Sequence, residues 1–270
     1  MPELPEVETV KNTLKRLTLN DTIKSVDIYH DNIIEYPSIK KFKNQIKNQT
    51  IRDIDRRGKW LIFKLDDYYL LSHLRMEGKY FLKENEPKEK HEHVVFKLKS
   101  GKELRYRDTR KFGKMHLIEI DKINNIGPLL YLGLEPWDLT EDYLLNSFRN
   151  KRIPIKTILL DQSIIAGIGN IYADEILFLC RINPLKETGL ITKKEIVNII
   201  ANTIKVLGEA ITKGGTTIRS YQSSEGVDGL FQQELLVHNR EKEACKKCET
   251  IIKKIVVRGR GTYFCPKCQK

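Results

Sequence analysis

Cysteine is scarce in this 270-residue chain: there are five, and none precedes Cys180. No disulfide scaffold can therefore hold the N-terminal two thirds together. Long hydrophobic runs are missing as well, and nothing approaches the roughly 20 residues of a membrane-spanning helix. The first residues are acidic and helix-forming, unlike the basic and then apolar start of a secretory leader, so a bacterial-style cytosolic location is expected. Acidic side chains are the third deficit, 36 against 48 Lys and Arg, for a net charge of +12 and a pI near 9.3. The excess is uneven: residues 241–270 hold nine basic and three acidic side chains, and residues 40–59 hold eight and two. Two such concentrations far apart in sequence point to a polyanionic partner, most simply nucleic acid. With 40% hydrophobic and 31% charged residues the chain is folded, and it is long enough for two cores.

The start, Met1-Pro2-Glu3-Leu4-Pro5-Glu6, is chemically suggestive. Removal of Met1 before the small Pro2 would leave a secondary amine with a reference pKa of roughly 8. Such an amine can attack a sugar carbon and form an imine, with Glu3 beside it as proton donor or acceptor. Taken alone, the segment reads more simply as a frayed terminus with Pro5 in the first turn of a helix, and the rest of the chain must overturn that reading. Val7, Val10, Leu14 and Leu17 do repeat at helical spacing, and the helix N-terminus would add positive potential near Pro2.

After a short helix around Ile39, Phe42 and Ile46 the pattern becomes alternating. Strands are expected at 60–65, 69–74, 94–98, 103–107 and 114–120, with turns at Asp66-Asp67 and Ser100-Gly101. This predicts an antiparallel β-sandwich or barrel over residues 1–121. Lys59 follows the basic turn Arg56-Arg57-Gly58, which suits either phosphate or plain solvent. Met76 and the pair Arg110 and Phe112 fall in loop-like settings near glycine, where an apolar side chain is either core or a wedge for a base stack.

From Asp121 the composition shifts through Gly127-Pro128, Gly133 and Glu135-Pro136, so residues 122–139 are expected to be a linker. A helical domain follows over 140–240. Thr140 caps a helix through Phe148, and Ile155, Ile158 and Leu159 mark a second helix. The third follows Gly167-Ile168-Gly169 with Asn170 as N-cap, and the fourth begins at a Thr192/Glu195 capping box and stops at Gly214. Cys180 lies in an apolar helical stretch and is expected in the core. The glycine turn before Asn170 is compatible with a phosphate site or an ordinary interhelical turn. Residues 214–226 lack apolar periodicity and form a long loop.

Residues 241–270 carry the motif most legible in itself: Cys245-x2-Cys248, sixteen residues, then Cys265-x2-Cys268. Four thiolates at this spacing in a reducing compartment predict one structural Zn2+ with no open ligand position. A hairpin is expected between the pairs, with Arg258-Gly259-Arg260-Gly261 as its turn and Arg260 placed to meet phosphate.

Taken together, PELPEVETV, RRGKWL, SHLRMEGK, DTRKFGKM and AGIGNIYADEILF resemble the bacterial formamidopyrimidine-DNA glycosylase family, and the likeness runs to the last residue. It implies an α+β multidomain protein with a catalytic sandwich, a helix-two-turns-helix element and a zinc-finger hairpin, holding duplex DNA in the cleft between the domains. The implied activity is excision of oxidised purines (8-oxoguanine and formamidopyrimidines) followed by strand cleavage. Pro2 would be the Schiff-base nucleophile, Glu3 the acid/base, and Lys59 and Arg260 catalytic-site contacts, Lys59 to substrate phosphate or base and Arg260 to phosphate beside the lesion. His73 and Asn170 would touch DNA, while Met76, Arg110 and Phe112 would fill the space left by the flipped nucleotide. Glu77, Thr216, Ile218, Arg219, Ser220 and Tyr221 would line the lesion base. Two departures, Leu230 for an aromatic residue and His238-Asn239 for Tyr-Gly, bear on packing of the lid. The rival readings are an endonuclease VIII-like enzyme for oxidised pyrimidines and a non-catalytic zinc-ribbon DNA-binding protein. A monomer is expected.

Overall fold

The computed structural model describes residues 1–216 and 230–270, which form two compact units. The first comprises residues 1–130. The described part of the second is 131–216 with 230–270, so the division falls inside the expected linker.

The first unit is a sandwich of two sheets. One has the order β1 (Ile23–Ile28), β7 (Glu92–Leu98), β8 (Glu103–Arg107), β6 (Lys79–Lys83). The other runs β2 (Ile34–Tyr36), β9 (Lys114–Glu119), β5 (Tyr68–His73), β4 (Trp60–Lys64), β3 (Asp53–Arg57). Alternation drives the layers together. Val94, Phe96, Leu104 and Tyr106 of the first sheet share one core with Leu61, Phe63, Leu70, Met115 and Leu117 of the second. Tyr80 bridges the layers, its ring 5.7 Å from Phe63 and its hydroxyl donating to Ser72 at 2.7 Å. One pair departs from the antiparallel expectation, because the three-residue β2 runs parallel to β9. β1, β2, β3 and β6 are absent from the sequence-based expectation, and each is largely polar or only half-buried.

Helix α1 (Leu4–Thr18) buries Val7, Val10 and Leu14 and packs on β3 and β4, while α2 (Ile39–Ile46) buries Phe42 and Ile46 on β1 and β2. Glu3 is the N-cap of α1, and its N–H donates to the Glu6 carboxylate at 2.8 Å. The helix therefore starts two residues after Pro2, with Glu3 between them as its cap.

The second unit holds α3 (Glu141–Phe148), α4 (Ile155–Leu159), α5 (Asn170–Cys180) and α6 (Lys193–Thr212), then the hairpin β10 (Lys253–Val257) and β11 (Arg260–Phe264). Thr140 caps α3 and Thr192 caps α6, the latter in the expected box with Glu195. Cys180 is buried, and burial pushes its thiol pKa up to about 12, which leaves it protonated and inert. No helix among the described residues is long and apolar enough to cross a membrane.

Removing the Thr192 hydroxyl unties one half of the α6 cap. Thr192→Ala is expected to lower stability by about 1 kcal/mol in denaturant unfolding, without changing the zinc content.

Candidate active site and nucleic-acid interface

The first cluster is built around the N-terminus of α1. Glu3 is 2% exposed despite its charge, and Pro2 next to it is half-buried. Two turns along, Glu8 accepts from Arg56 Nε at 2.8 Å, and the same guanidinium donates through Nη1 to the Gly58 carbonyl at 3.0 Å. Gly58 occupies the β3–β4 turn with φ of 55°, a left-handed conformation suited to glycine. Lys59 comes next and is 5% exposed. Arg56 thus ties the turn carrying Lys59 to the helix that begins at Glu3. Engaged by Glu8 and Gly58, Arg56 fixes the position of the turn.

One strand over, Trp60 pairs in register with His73, and their rings meet edge-on at 4.8 Å. His73 Nδ1 accepts the Arg75 N–H at 2.9 Å, which leaves the ring proton on Nε2. Burial above all, then the positive charges of Arg75 and Lys59, push the His73 pKa down to about 3. The side chain is a neutral Nε2–H donor at any physiological pH.

The second cluster is the pair Arg110 and Phe112, with Met76 on a turn whose Gly78 lies against the same Tyr106 hydroxyl as Gly113 of their loop. Met76 is 36% exposed in the turn after β5, and Phe112 is 51% exposed in the β8–β9 loop. The Arg110 guanidinium lies 4.9 Å from the Phe112 ring centroid. Met76 and Phe112 thus present apolar surface, and Phe112 does so beside a stacked cation. Beneath them sits Asp108, fully buried, whose carboxylate accepts the N–H of Arg110 at 3.0 Å and of Gly113 at 2.8 Å. Glu77 is exposed in the Met76 turn.

In the second unit the Asn170 expectation is corrected. Gly169 is the N-cap of α5 and Asn170 is its first helical residue. The Asn170 side chain does not fold over its own helix. Its Nδ2 reaches across to the Gly261 carbonyl at 2.9 Å, because β11 passes there. Lys156, wholly buried in α4, donates to the same carbonyl at 3.0 Å and to Thr262 Oγ1 at 2.9 Å, and pairs with Asp174 Oδ1 at 2.7 Å. Asp174 Oδ2 meets His238 Nδ1 at 2.8 Å and the Tyr263 N–H at 3.2 Å. His238 therefore sits under the hairpin, which relocates the expected effect of the His238-Asn239 departure. Asn239 takes a φ of 58°, which asparagine tolerates.

The hairpin turn is shorter than expected. Val257 pairs with Arg260, so Arg258 and Gly259 alone make the turn and the exposed Arg260 opens β11. The sulfurs of Cys245, Cys248, Cys265 and Cys268 lie within 4.8 Å of one another, with contacts of 4.0 Å and 3.4 Å between opposite pairs. A tetrahedral Zn–S4 site has sulfurs about 3.8 Å apart, so these four side chains fit one zinc ion. Backbone N–H groups of Lys247 and Cys268 point at Cys245 and Cys265 sulfur at 3.4 Å, which suits thiolates holding a metal.

Thr216 is buried, and Ile218, Arg219, Ser220 and Tyr221 lie outside the described residues. Sequence reasoning overlooked Tyr106, Asp108, Lys156 and Asp174. A signal existed for Lys156, a lone charge among Ile155, Ile158 and Leu159.

Because His73 stays neutral in the fold and titrates near 6.5 when unfolded, the unfolded chain binds the extra proton. His73 therefore costs nothing above pH 6.5 and costs progressively more stability as the pH falls from 6.5 toward 3. His73→Gln, with no group to protonate, is expected to flatten the loss of stability between pH 7 and pH 4.5 in denaturant titrations.

Family models match along the chain in order: the formamidopyrimidine-DNA glycosylase N-terminal domain over residues 1–115, the H2TH domain of the same enzyme over 132–222, and the zinc finger found in FPG and IleRS over 242–270. The formamidopyrimidine-DNA glycosylase of Bacillus licheniformis is 49% identical over 274 residues, and that of Cytobacillus firmus 46% over 273, each matching all of both chains. Among solved structures, Lactococcus lactis Fpg with DNA containing an abasic site superposes with a TM-score of 0.93 at 40% identity, covering 99% of each chain. A G226P variant of that enzyme with Fapy-dG-containing DNA gives 0.93 and 40% over the whole of both chains. Fold, cysteine set and full-length identity agree, and the chain belongs to the formamidopyrimidine-DNA glycosylase family.

Proposed function

We propose that this protein is a bifunctional DNA glycosylase and abasic-site lyase of base excision repair, in which Pro2 attacks the sugar of an oxidised purine nucleotide in duplex DNA. The observation that carries the reading is the N-terminus of α1. A proline amine, exposed once Met1 is removed, adjoins a carboxylate that is 2% exposed, on a helix tied through Arg56 to the turn bearing Lys59.

The chemistry follows from those groups. The Pro2 nitrogen, uncharged when it reacts, forms a bond to C1′ as the bond to the damaged base breaks, and the base departs with a proton. Glu3 delivers a proton to the ring oxygen as the sugar opens, giving an iminium on Pro2. The iminium is the electron sink for loss of the C2′ proton and departure of the 3′ phosphate. A second elimination releases the 5′ phosphate, and water returns the free amine. Zinc has no part in these steps; it holds the hairpin.

DNA is gripped by point donors. Lys59, the His73 Nε2–H, Arg260 and the second Nδ2–H of Asn170 are assigned to phosphates. Met76 and Phe112 enter the base stack, and Arg110 offers its planar fork to the orphaned cytosine. Thr216 and residues 218–221 are assigned to the flipped base, with Glu77. Such a substrate places the enzyme in the bacterial cytoplasm, acting as a monomer.

Borohydride trapping on a duplex with one 8-oxoguanine opposite cytosine is expected to give a covalent adduct at Pro2, mapped by peptide sequencing. Adduct formation only on thymine glycol would favour the endonuclease VIII-like reading, and no nicking of an abasic site would leave a binding protein. Separately, chelation of the zinc, verified by metal analysis, is expected to abolish duplex binding while the β-sandwich stays folded by circular dichroism. Normal binding by metal-free protein would remove Arg260 from the DNA contacts.

A further inference from the structure

Tyr106 lies at the meeting point of the two loops that carry the wedging residues. It is fully buried in β8, and its ring packs 5.1 Å from that of Tyr80. Its hydroxyl stands where neither loop has room for a side chain. A methyl group on Gly78, in the Met76 turn, would come 2.2 Å from this oxygen, and one on Gly113, in the Arg110–Phe112 loop, would come 1.8 Å from it. The hydroxyl also donates to Asp108 Oδ2 at 3.4 Å, the same oxygen that accepts the Gly113 N–H. The other carboxylate oxygen holds the Arg110 N–H. His93 Nε2 lies 3.1 Å from the Asp108 carbonyl, securing the start of the loop as well.

From this arrangement we infer that Tyr106, acting with Asp108, is a positioning residue that registers the Met76 turn against the Arg110–Phe112 loop, so that stack insertion and recognition of the orphaned base act as one step. Neither residue touches substrate. The two glycine backbones rest on one oxygen, so a shift of either loop is felt by the other. The functional consequence is that preference for the opposite base depends on Tyr106, although the donors belong to Arg110. The inference rests on the assignment of Met76, Arg110 and Phe112 made above.

The test uses full-length, zinc-loaded enzyme with Met1 removed. Tyr106→Phe deletes the oxygen and keeps the ring. Single-turnover excision of 8-oxoguanine is measured opposite cytosine and opposite adenine, alongside nicking of a preformed abasic site, and Met76→Ala and Arg110→Ala are made singly and together in both backgrounds. With Tyr106 intact, the double variant is expected to lose less than the product of the single losses by about tenfold, the signature of coupled sites. In Tyr106→Phe the losses should multiply, and the cytosine preference should fall about fivefold, while abasic nicking stays within about twofold, since one buried hydrogen bond is the whole change. Asp108→Asn, which turns one acceptor into a donor facing an N–H, should remove the coupling too, and it serves if Tyr106→Phe does not fold. Coupling that persists in both variants would overturn the inference and leave Tyr106 a core residue. If Arg110→Ala keeps the full cytosine preference, the assignment of Arg110 fails and the inference falls with it; loss of that preference with persistent coupling sinks the inference alone.

Discussion

A lysine and an aspartate, both wholly buried, meet at 2.7 Å in the second unit, and much of what surrounds them exists to make that tolerable. Taking two charges out of water costs several kcal/mol per ion unless every remaining donor and acceptor finds a partner. Lys156 finds Gly261 and Thr262, and Asp174 finds His238 and Tyr263. All four partners belong to the hairpin or to the segment leading into it. The pair is therefore satisfied only when the hairpin is seated, and the hairpin is too small to fold without its metal. Zinc, the ion pair and the seating of Arg260 beside Asn170 form one cooperative unit. Glu175, next to Asp174, reinforces it by accepting the N–H groups of Leu236, Val237 and His238, although burial raises its pKa.

The first unit solves the same problem with different chemistry. Met76, Arg110 and Phe112 stand at the surface, where no packing fixes them, whereas Lys59 is itself buried, and in both places the backbone is held through a buried neighbour. Arg56 is the tie for Lys59, and Asp108 is the tie for Arg110 and Phe112. Asp108 is held by backbone N–H groups instead of a cation, which suits a loop: amides fix the path of the main chain, whereas an ion pair would fix only one side-chain tip. His73 shows the complementary choice. Buried, and then crowded by Arg75 and Lys59, it gives up its charge and keeps its donor.

Much of this was legible in the sequence because periodicity and spacing report local structure. α1, α2, the central strands and the α6 capping box follow from it, and four cysteines in two pairs imply the metal whatever the fold. The misses share a cause. β1, β2, β3 and β6 are short or polar, and pairing rather than pattern makes them strands. Asn170 was expected to cap its own helix because the strand that claims its amide lies 91 residues away in sequence. The hairpin turn was assigned two residues too many because Gly261 resembles a turn residue, yet its carbonyl is needed by Asn170 and Lys156 in an extended strand. Tyr106 looks like any core aromatic until the backbones of Gly78 and Gly113 are placed against it.

Exposure of Met76 and Phe112 calls for a physical account, since apolar side chains at a loop tip ordinarily fold back. Fully burying such a side chain is worth about 1.5–3 kcal/mol, and with Met76 36% and Phe112 51% exposed the free protein forgoes roughly a third to a half of that at each. Collapse is prevented because the space beneath both loops is filled: Gly78 and Gly113 already lie against the Tyr106 oxygen, and Asp108 fixes the backbone between them. Under the proposed assignment, the same apolar energy is released once a base stack opens to receive the two side chains. Extruding a nucleotide costs roughly a few kcal/mol, so two such wedges offset part of that cost without drawing on the phosphate contacts. Those contacts weaken steeply with salt because counterions are released when they form. Insertion is not electrostatic in this sense. The division lets a basic protein hold any duplex loosely through its lysines and arginines, and keeps the energy of base flipping in side chains that only an opened stack can bury.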